Sequence, residues 1–224
     1  MIGFRILNRA RKVDARVVAE FRAIPVANVS DSMHRMCAGG ARLRPMHKGG
    51  RMAGPALTVK TRPGDNLMVH KALDLAEPGD VIVVDAGGDL TNAIIGEIMS
   101  TYGKARGIAG IVIDGAIRDA DEIRAGDFPV YAAGVTHRGP YKDGPGEINV
   151  PVAIDGMVIE PGDLVLGDGD GLLCVPYDHI ADVYRAASEK RRIEEREIVA
   201  SAKGALERAW VDARLEKLGC PPAE

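Results

Sequence analysis

The chain is short of the residues on which redox, metal-cluster and nucleic-acid chemistry usually rests. Of its 224 residues, three are cysteines (Cys37, Cys174 and Cys220), an odd number with no Cys-x-x-Cys spacing. That pattern argues against a disulfide framework or a thiolate zinc site and suits a reducing compartment. The five histidines, at 34, 47, 70, 137 and 179, form no HxxxH or HExxH pair. Aromatic residues are 4% of the chain, with one tryptophan, too few for a base-stacking platform. A formal charge of -3 gives no basic footprint for nucleic acid or an acidic membrane. No apolar run reaches membrane-spanning length, and the opening MIGFRILNRARK is too charged for the apolar region of a signal peptide. The expectation is a soluble, cytoplasmic protein with no nucleic-acid and no membrane partner.

What is present is ordinary in bulk: 46% hydrophobic, 27% charged and 27 glycines, which suit many tight turns between short elements. Residues 10–24 place Val13, Val17, Val18 and Phe21 at helical spacing, and Pro25 ends that helix. Asn28, Ser30 and Asp31 offer caps for a short helix carrying Met33 and Met36, closed by the glycines at 39–40. GPALTVKTR alternates as a strand, and PGDN turns into a helix over 66–76, with Asp65 or Asn66 as its cap. His70 reads there as a surface or packed helix residue. VIVVDAGG is a continuous apolar run, the mark of a strand buried on both faces. A helix over 97–106, a strand over 108–114, a short helix closed by Gly126 and the strand FPVYAAG follow.

The last third of the core is rich in strands. Asp155-Gly156 and the Gly169–Gly171 stretch supply its turns. EPGDLVLGD at 160–168 echoes EPGDVIVVD at 77–85, which reads as the same turn chemistry used twice. Asp168-Gly-Asp170-Gly faintly resembles a calcium loop, but Leu172 occupies a ligand position, so a hairpin is expected. From about 179 to 217 the chain is helical and highly charged, with Gly204 a potential break. A long polar helix of this kind commonly lies across a neighbouring subunit, and a homo-oligomer is expected.

The segment from Gly96 to Glu122 concentrates the candidate chemistry. Twenty residues separate Glu97 from Arg118-Asp119, and a folded-back αβ unit would bring both ends to one cleft. Each residue also has a plain structural reading. Asp119-Ala-Asp-Glu122 has the form of a capping box, Glu97 suits a helix's first turn, Arg118 suits a surface, and Glu194 and Glu195 belong to a charged run.

Taken together, NVSDSM, GPALTVKTRPGDN, EPGDVIVVDAGG, GEIM, GIVIDGAIRDADE and GDGDGLLCVP, in that order between Pro25 and Pro176, resemble the ribonuclease E activity regulator (RraA)-like family, which includes the 4-hydroxy-4-methyl-2-oxoglutarate aldolases. The resemblance implies a single domain with an α/β fold in the swivelling-domain style. It is a mixed β-sheet packed by helices, its core at about 25–178, with an N-terminal helix at about 10–24 and a C-terminal helical extension at about 179–217. It implies a trimer or a pair of trimers. It also implies a lyase dependent on Mg2+ or Mn2+ that releases pyruvate from 4-hydroxy-4-methyl-2-oxoglutarate or a related 2-oxo acid, with oxaloacetate decarboxylation as a companion activity.

In that reading Asp119 holds the cation directly. Glu97, Glu122 and Glu194 or Glu195 act through water, the last two from a neighbouring subunit. Arg118 grips the pyruvate part of the substrate, and the N–H groups of Gly96, Glu97, Ile98 and Met99 receive its carboxylate. Glu97 is the candidate base, directly or through water. Physical chemistry supports each role: magnesium takes few protein carboxylates, a helix start favours an anion, and arginine presents a planar fork. Glu97 stands where many relatives carry Asp or Asn. The rival expectation is a non-catalytic regulator that binds and inhibits ribonuclease E; the extra residues beyond Asp178 favour the lyase. A menaquinone methyltransferase is disfavoured, since no glycine-rich strand-turn-helix for a methyl donor is present.

Overall fold

The computed structural model describes residues 2–36 and 39–220, so Cys37 lies outside the described residues. In chain order the elements are β1 (Phe4–Ile6), α1 (Ala15–Arg22), α2 (Val26–Ser32), β2 (Arg44–Pro45), β3 (Met52–Thr61), α3 (Leu67–Leu75), β4 (Val81–Asp85), β5 (Ala93–Ile95), α4 (Glu97–Ala105), β6 (Gly110–Ile117), α5 (Ala120–Ala125) and β7 (Val130–Val135). There follow β8 (Gly146–Ile148), β9 (Val152–Ile154), β10 (Met157–Ile159), β11 (Leu164–Asp168), β12 (Gly171–Val175), α6 (Ile180–Ala202) and α7 (Ala209–Lys217).

The main sheet runs β1-β8-β3-β4-β6-β7-β2, with β5 added to β6 and the β11–β12 hairpin added to β3. β3, β4, β6 and β7 are mutually parallel, while β8 and β11 run antiparallel to β3. The sheet is mixed and packed by helices, as expected. The apolar run of β4 is buried on both faces because alternate side chains enter different cores. Ile82 and Val84 join Val69 and Leu73 of α3, whereas Val81 and Val83 join Ile154 and Cys174 from the β9–β12 layer. A third core holds Phe21 of α1, Val29 of α2 and Val183 and Ala187 of α6.

The two EPGD turns share one chemistry. The Glu77 N–H donates to Asp80 Oδ2 at 3.0 Å and the Glu160 N–H to Asp163 Oδ2 at 2.9 Å, with both aspartates buried. The GDGDG segment is a hairpin pairing Asp168 with Gly171. Asp168 does a second job, since its Oδ2 accepts the Val26 N–H at the start of α2.

Several boundaries depart from the sequence expectations; β6, for one, runs 110–117 rather than 108–114. The N-terminal helix spans 15–22 rather than 10–24, because Asp14 caps it through the Arg16 N–H and the residues before it are drawn into an extended strap by ion pairs. In that strap Arg9 holds the buried Asp80 through two bonds of 2.9 and 3.0 Å, Arg11 holds Asp178, and Lys12 meets Glu77. The expected helix over Met33 and Met36 instead starts at Val26, directly after Pro25, and stops at Ser32; His34 and Arg35 have positive φ. The C-terminal extension is two helices rather than one, interrupted at 203–208 where Gly204 has φ +66. Strand β1 lies outside the expected core of 25–178, yet extends the main sheet.

Candidate active site

The pairing of β5 with β6 assembles the site. Ala93 and Ile95 lie beside Ala116 and Ile117, and the Arg118 N–H donates to the Ile95 carbonyl at 3.0 Å. The chain therefore leaves both strands at the same place: Gly96 turns into α4, and Arg118-Asp119 turns into α5. The folded-back unit expected from the sequence does bring the two ends together.

Asp119 takes a left-handed conformation with φ 53 and ψ 45, one that aspartate tolerates better than most side chains. This turn aims its carboxylate away from α5. The capping-box reading is corrected here: Asp119 makes no cap bond to its own helix. Its Oδ2 instead accepts the Glu97 N–H of α4 at 2.9 Å. Gly96 is required for that approach, since a Cβ there would stand 2.2 Å from Asp119 Oδ2 and 2.9 Å from Arg118 Cγ.

The start of α4 has no side-chain cap of its own. With the Glu97 N–H engaged by Asp119, the N–H groups of Ile98 and Met99 have no partner among the described residues. A helix start of this kind attracts anions through its open donors and its dipole. Arg118 is half-exposed, and its guanidinium approaches Asp119 only at 3.8 Å, which leaves the fork available to an anion. Gly96, Ile98, Met99, Arg118 and Asp119 line one cleft of about 130 Å³.

Among the described residues, no group of three or more His, Cys, Asp or Glu side chains converges in a way that could hold a metal ion. The donor set at Asp119 nevertheless fits a cation that keeps most of its own waters: one carboxylate, held through Oδ2, with Oδ1 making no hydrogen bond or ion pair among the described residues.

The other expected acids are elsewhere. Glu97 and Glu122 are exposed and line a neighbouring groove of about 140 Å³ with Ser100 and Lys104, so the Glu97 N–H bond to Asp119 is what ties Glu97 to the cleft. Glu194 accepts a 2.6 Å bond from Asn28 Nδ2 and pairs with Lys190 at 3.2 Å; Glu195 pairs with Arg191 at 2.8 Å. Within one chain, both glutamates are engaged on α6 and neither lines the cleft.

Three further polar residues line the cleft that the sequence reading did not place there: Asn66, expected as a helix cap, His70, expected as a surface or packed residue, and Lys142. Asn66 and His70 are four residues apart at the start of α3, a spacing that puts them on one helix face and could have signalled a shared role. Asn66 is buried; its Nδ2 donates to the Ile94 carbonyl at 2.8 Å, and its Oδ1 has no partner among the described residues. Burial lowers the His70 pKa and the Lys142 ammonium lowers it further, with Asp74 opposing both. Lys142 could not be placed from sequence because it sits in the loop between β7 and β8.

A family model described as RraA-like, Aldolase/RraA, matches residues 26–174. A protein of Halalkalibacterium halodurans, provisionally named a 4-hydroxy-4-methyl-2-oxoglutarate aldolase, is 41% identical over 178 residues, covering 80% of this chain and 85% of that protein. A Thermus thermophilus protein named 4-hydroxy-4-methyl-2-oxoglutarate aldolase is 36% identical over 126 residues, 56% of this chain and 76% of its own length. Among solved structures, Streptomyces coelicolor RraAS2, described as an unusual member of the RNase ES inhibitor RraA protein family, is similar with a TM-score of 0.75 at 29% identity, covering 83% of this chain and 96% of that one.

Proposed function

Because the chain belongs to the RraA-like (Aldolase/RraA) family, we propose that it is a carbon–carbon lyase that needs a divalent cation, Mg2+ or Mn2+. Its substrate would be 4-hydroxy-4-methyl-2-oxoglutarate or a related 4-hydroxy-2-oxo acid, cleaved to pyruvate, with oxaloacetate decarboxylation as a side activity. One observation carries the reading: an arginine fork paired only loosely, at 3.8 Å, a carboxylate with one open oxygen and an open helix start meet in a single cleft.

The chain's own groups divide the work. The open N–H groups of Ile98 and Met99, with the positive end of the α4 dipole, receive the carboxylate of the 2-oxo acid. Arg118 grips the same end of the molecule, and its planar fork fixes the plane of the oxo acid. Asp119 would hold the cation, which supplies polarisation of the 2-oxo group when bound. Gly96 keeps Asp119 close enough to the helix start for both groups to act on one substrate. Cleavage requires removal of the proton from the C4 hydroxyl. Glu97 is assigned that step, acting through water because it lines the adjacent groove rather than the cleft. Oxaloacetate needs no such base, since carbon dioxide leaves directly, and the same carboxylate and arginine contacts serve it.

A glutamate from a neighbouring subunit of a trimer or hexamer would complete the site. Glu195 is freer than Glu194 for this, because it would give up only an exposed pair to Arg191, worth about 0.3–0.5 kcal/mol. Release of pyruvate from 4-hydroxy-4-methyl-2-oxoglutarate, dependent on added cation, tests the proposal.

A second reading is kept because RraAS2, a structural neighbour, is described within an RNase ES inhibitor family. This chain would then bind and inhibit ribonuclease E without chemistry. Capture of that nuclease together with no cation-dependent turnover would favour it.

A further inference from the structure

Residues 2–25 lie outside the segment that the family model matches, yet β1 is the outermost strand of the main sheet. It pairs in parallel with β8, setting Arg5 opposite Glu147. The Arg5 guanidinium meets the Glu147 carboxylate fork to fork, with two bonds of 2.8 Å, and the Gly3 N–H adds a third at 2.7 Å. The Glu147 side chain is only 10% exposed, so these bonds replace the water it has lost. Two residues before the start of β8, Phe4 is packed directly on the backbone of Gly144: a Cβ there would stand 2.6 Å from the ring.

Gly144 ends the loop whose Pro140 and Lys142 form one wall of the cleft. That loop is already tied on its inner side. The N–H groups of Asp143 and Gly144 donate to Asp65 Oδ2 at 2.8 and 2.9 Å, and Asp65 Oδ1 accepts the Leu67 N–H at the start of α3, the helix that carries His70. A buried carboxylate thus joins the two cleft walls, and β1 presses on the loop from outside. Without β1, β8 would be a three-residue edge strand, and such strands pair weakly.

We infer that the N-terminal strand is a clamp that positions the Pro140–Lys142 wall of the cleft, with Arg5 and Phe4 as its positioning residues. Its effect on turnover rests on the lyase reading; its effect on the loop does not.

The test is backbone hydrogen exchange on the full chain carrying Arg5→Ala or Phe4→Ala. Exchange should rise about tenfold or more at residues 141–148 and stay unchanged in β4 and β6. Phe4→Ala touches no charge, so a like response from both variants separates a clamp from a stranded Glu147 carboxylate. Arg5→Lys should restore part of the protection. In the lyase assay the same variants should raise KM several-fold with kcat changed less. Unchanged exchange at Asp143 and Gly144 in both alanine variants, or loosening spread evenly over the sheet, would overturn the clamp. If the wild-type protein turns over no 2-oxo acid, the lyase reading fails while the exchange result still decides this inference.

Discussion

Asp119 Oδ2 accepts the backbone N–H of Glu97 at 2.9 Å, so the aspartate at the start of one helix is committed to the start of another. This bond orients the carboxylate, leaves Oδ1 open, and places the Arg118 fork beside the unpaired donors of α4. The proposed chemistry depends on that arrangement.

Gly96→Ala is the sharpest probe of it. The added methyl would overlap Asp119 Oδ2, and the carboxylate would have to swing away. Turnover should fall about a hundredfold, the scale of an ångström's misplacement at a reacting centre. The melting temperature should change little, because Gly96 has φ -149, which alanine adopts readily. Pyruvate release and a thermal melt on the same preparation check this.

Arg118→Ala and Asp119→Ala should each nearly abolish turnover while the circular dichroism spectrum stays native. Both side chains are partly exposed, and neither belongs to a hydrophobic core. Unfolding of either variant would mean that the residue is structural.

Much of this was legible in the sequence. The strand–helix alternation, both EPGD turns and the GDGDG hairpin follow from local patterns, and the Glu97-to-Arg118 spacing located the cleft. The capping box did not survive, because spacing reports which residues start a helix but not which way an αL backbone aims their side chains. Strand β1 was missed because three residues carry no readable period; it is held by partners more than a hundred residues away, such as Glu147. His70 and Lys142 enter the cleft through tertiary placement of α3 and the β7–β8 loop, which no window of sequence contains.

Arg9→Ala should be costly to stability. Asp80 is fully buried and takes two bonds from Arg9 at 2.9 and 3.0 Å. Removing the arginine strands a buried carboxylate, a loss of about 3 kcal/mol or more. Urea unfolding at neutral pH should show a lower midpoint with an unchanged slope.

Stability should fall on mild acidification through His47. Its ring is buried against Tyr131. Burial lowers its pKa below 6.5, and backbone contacts at Val130 and Gly50 offset this only in part. The unfolded chain therefore takes up a proton more readily. Stability is full above about 6.5 and is lost as pH falls through the lower folded value. Urea midpoints should be flat above about pH 7 and decline below it. His47→Gln should reduce that slope, leaving the contribution of His70, which burial also lowers. Glu147, held at about 2 chiefly by its bond to Arg5 and also by the Gly3 N–H, gives a separate loss that begins only below its ordinary 4.5.

The C-terminal helices expose large apolar side chains. Ile198, Val199, Trp210 and Leu218 are exposed, and α7 buries none of its residues within the chain. Sedimentation should show a trimer or hexamer, and Trp210, the only tryptophan, should shift its emission to the red on dissociation by dilution. A monomer at all concentrations would rule out a site shared between subunits.

The most direct test of the central claim is a pyruvate-coupled assay on the purified protein with 4-hydroxy-4-methyl-2-oxoglutarate, run with Mg2+ or Mn2+ and again with a chelator. The expected result is steady pyruvate release that requires the cation and disappears in Asp119→Ala. No release from this substrate or from oxaloacetate with either cation, or equal release by Asp119→Ala, would contradict it.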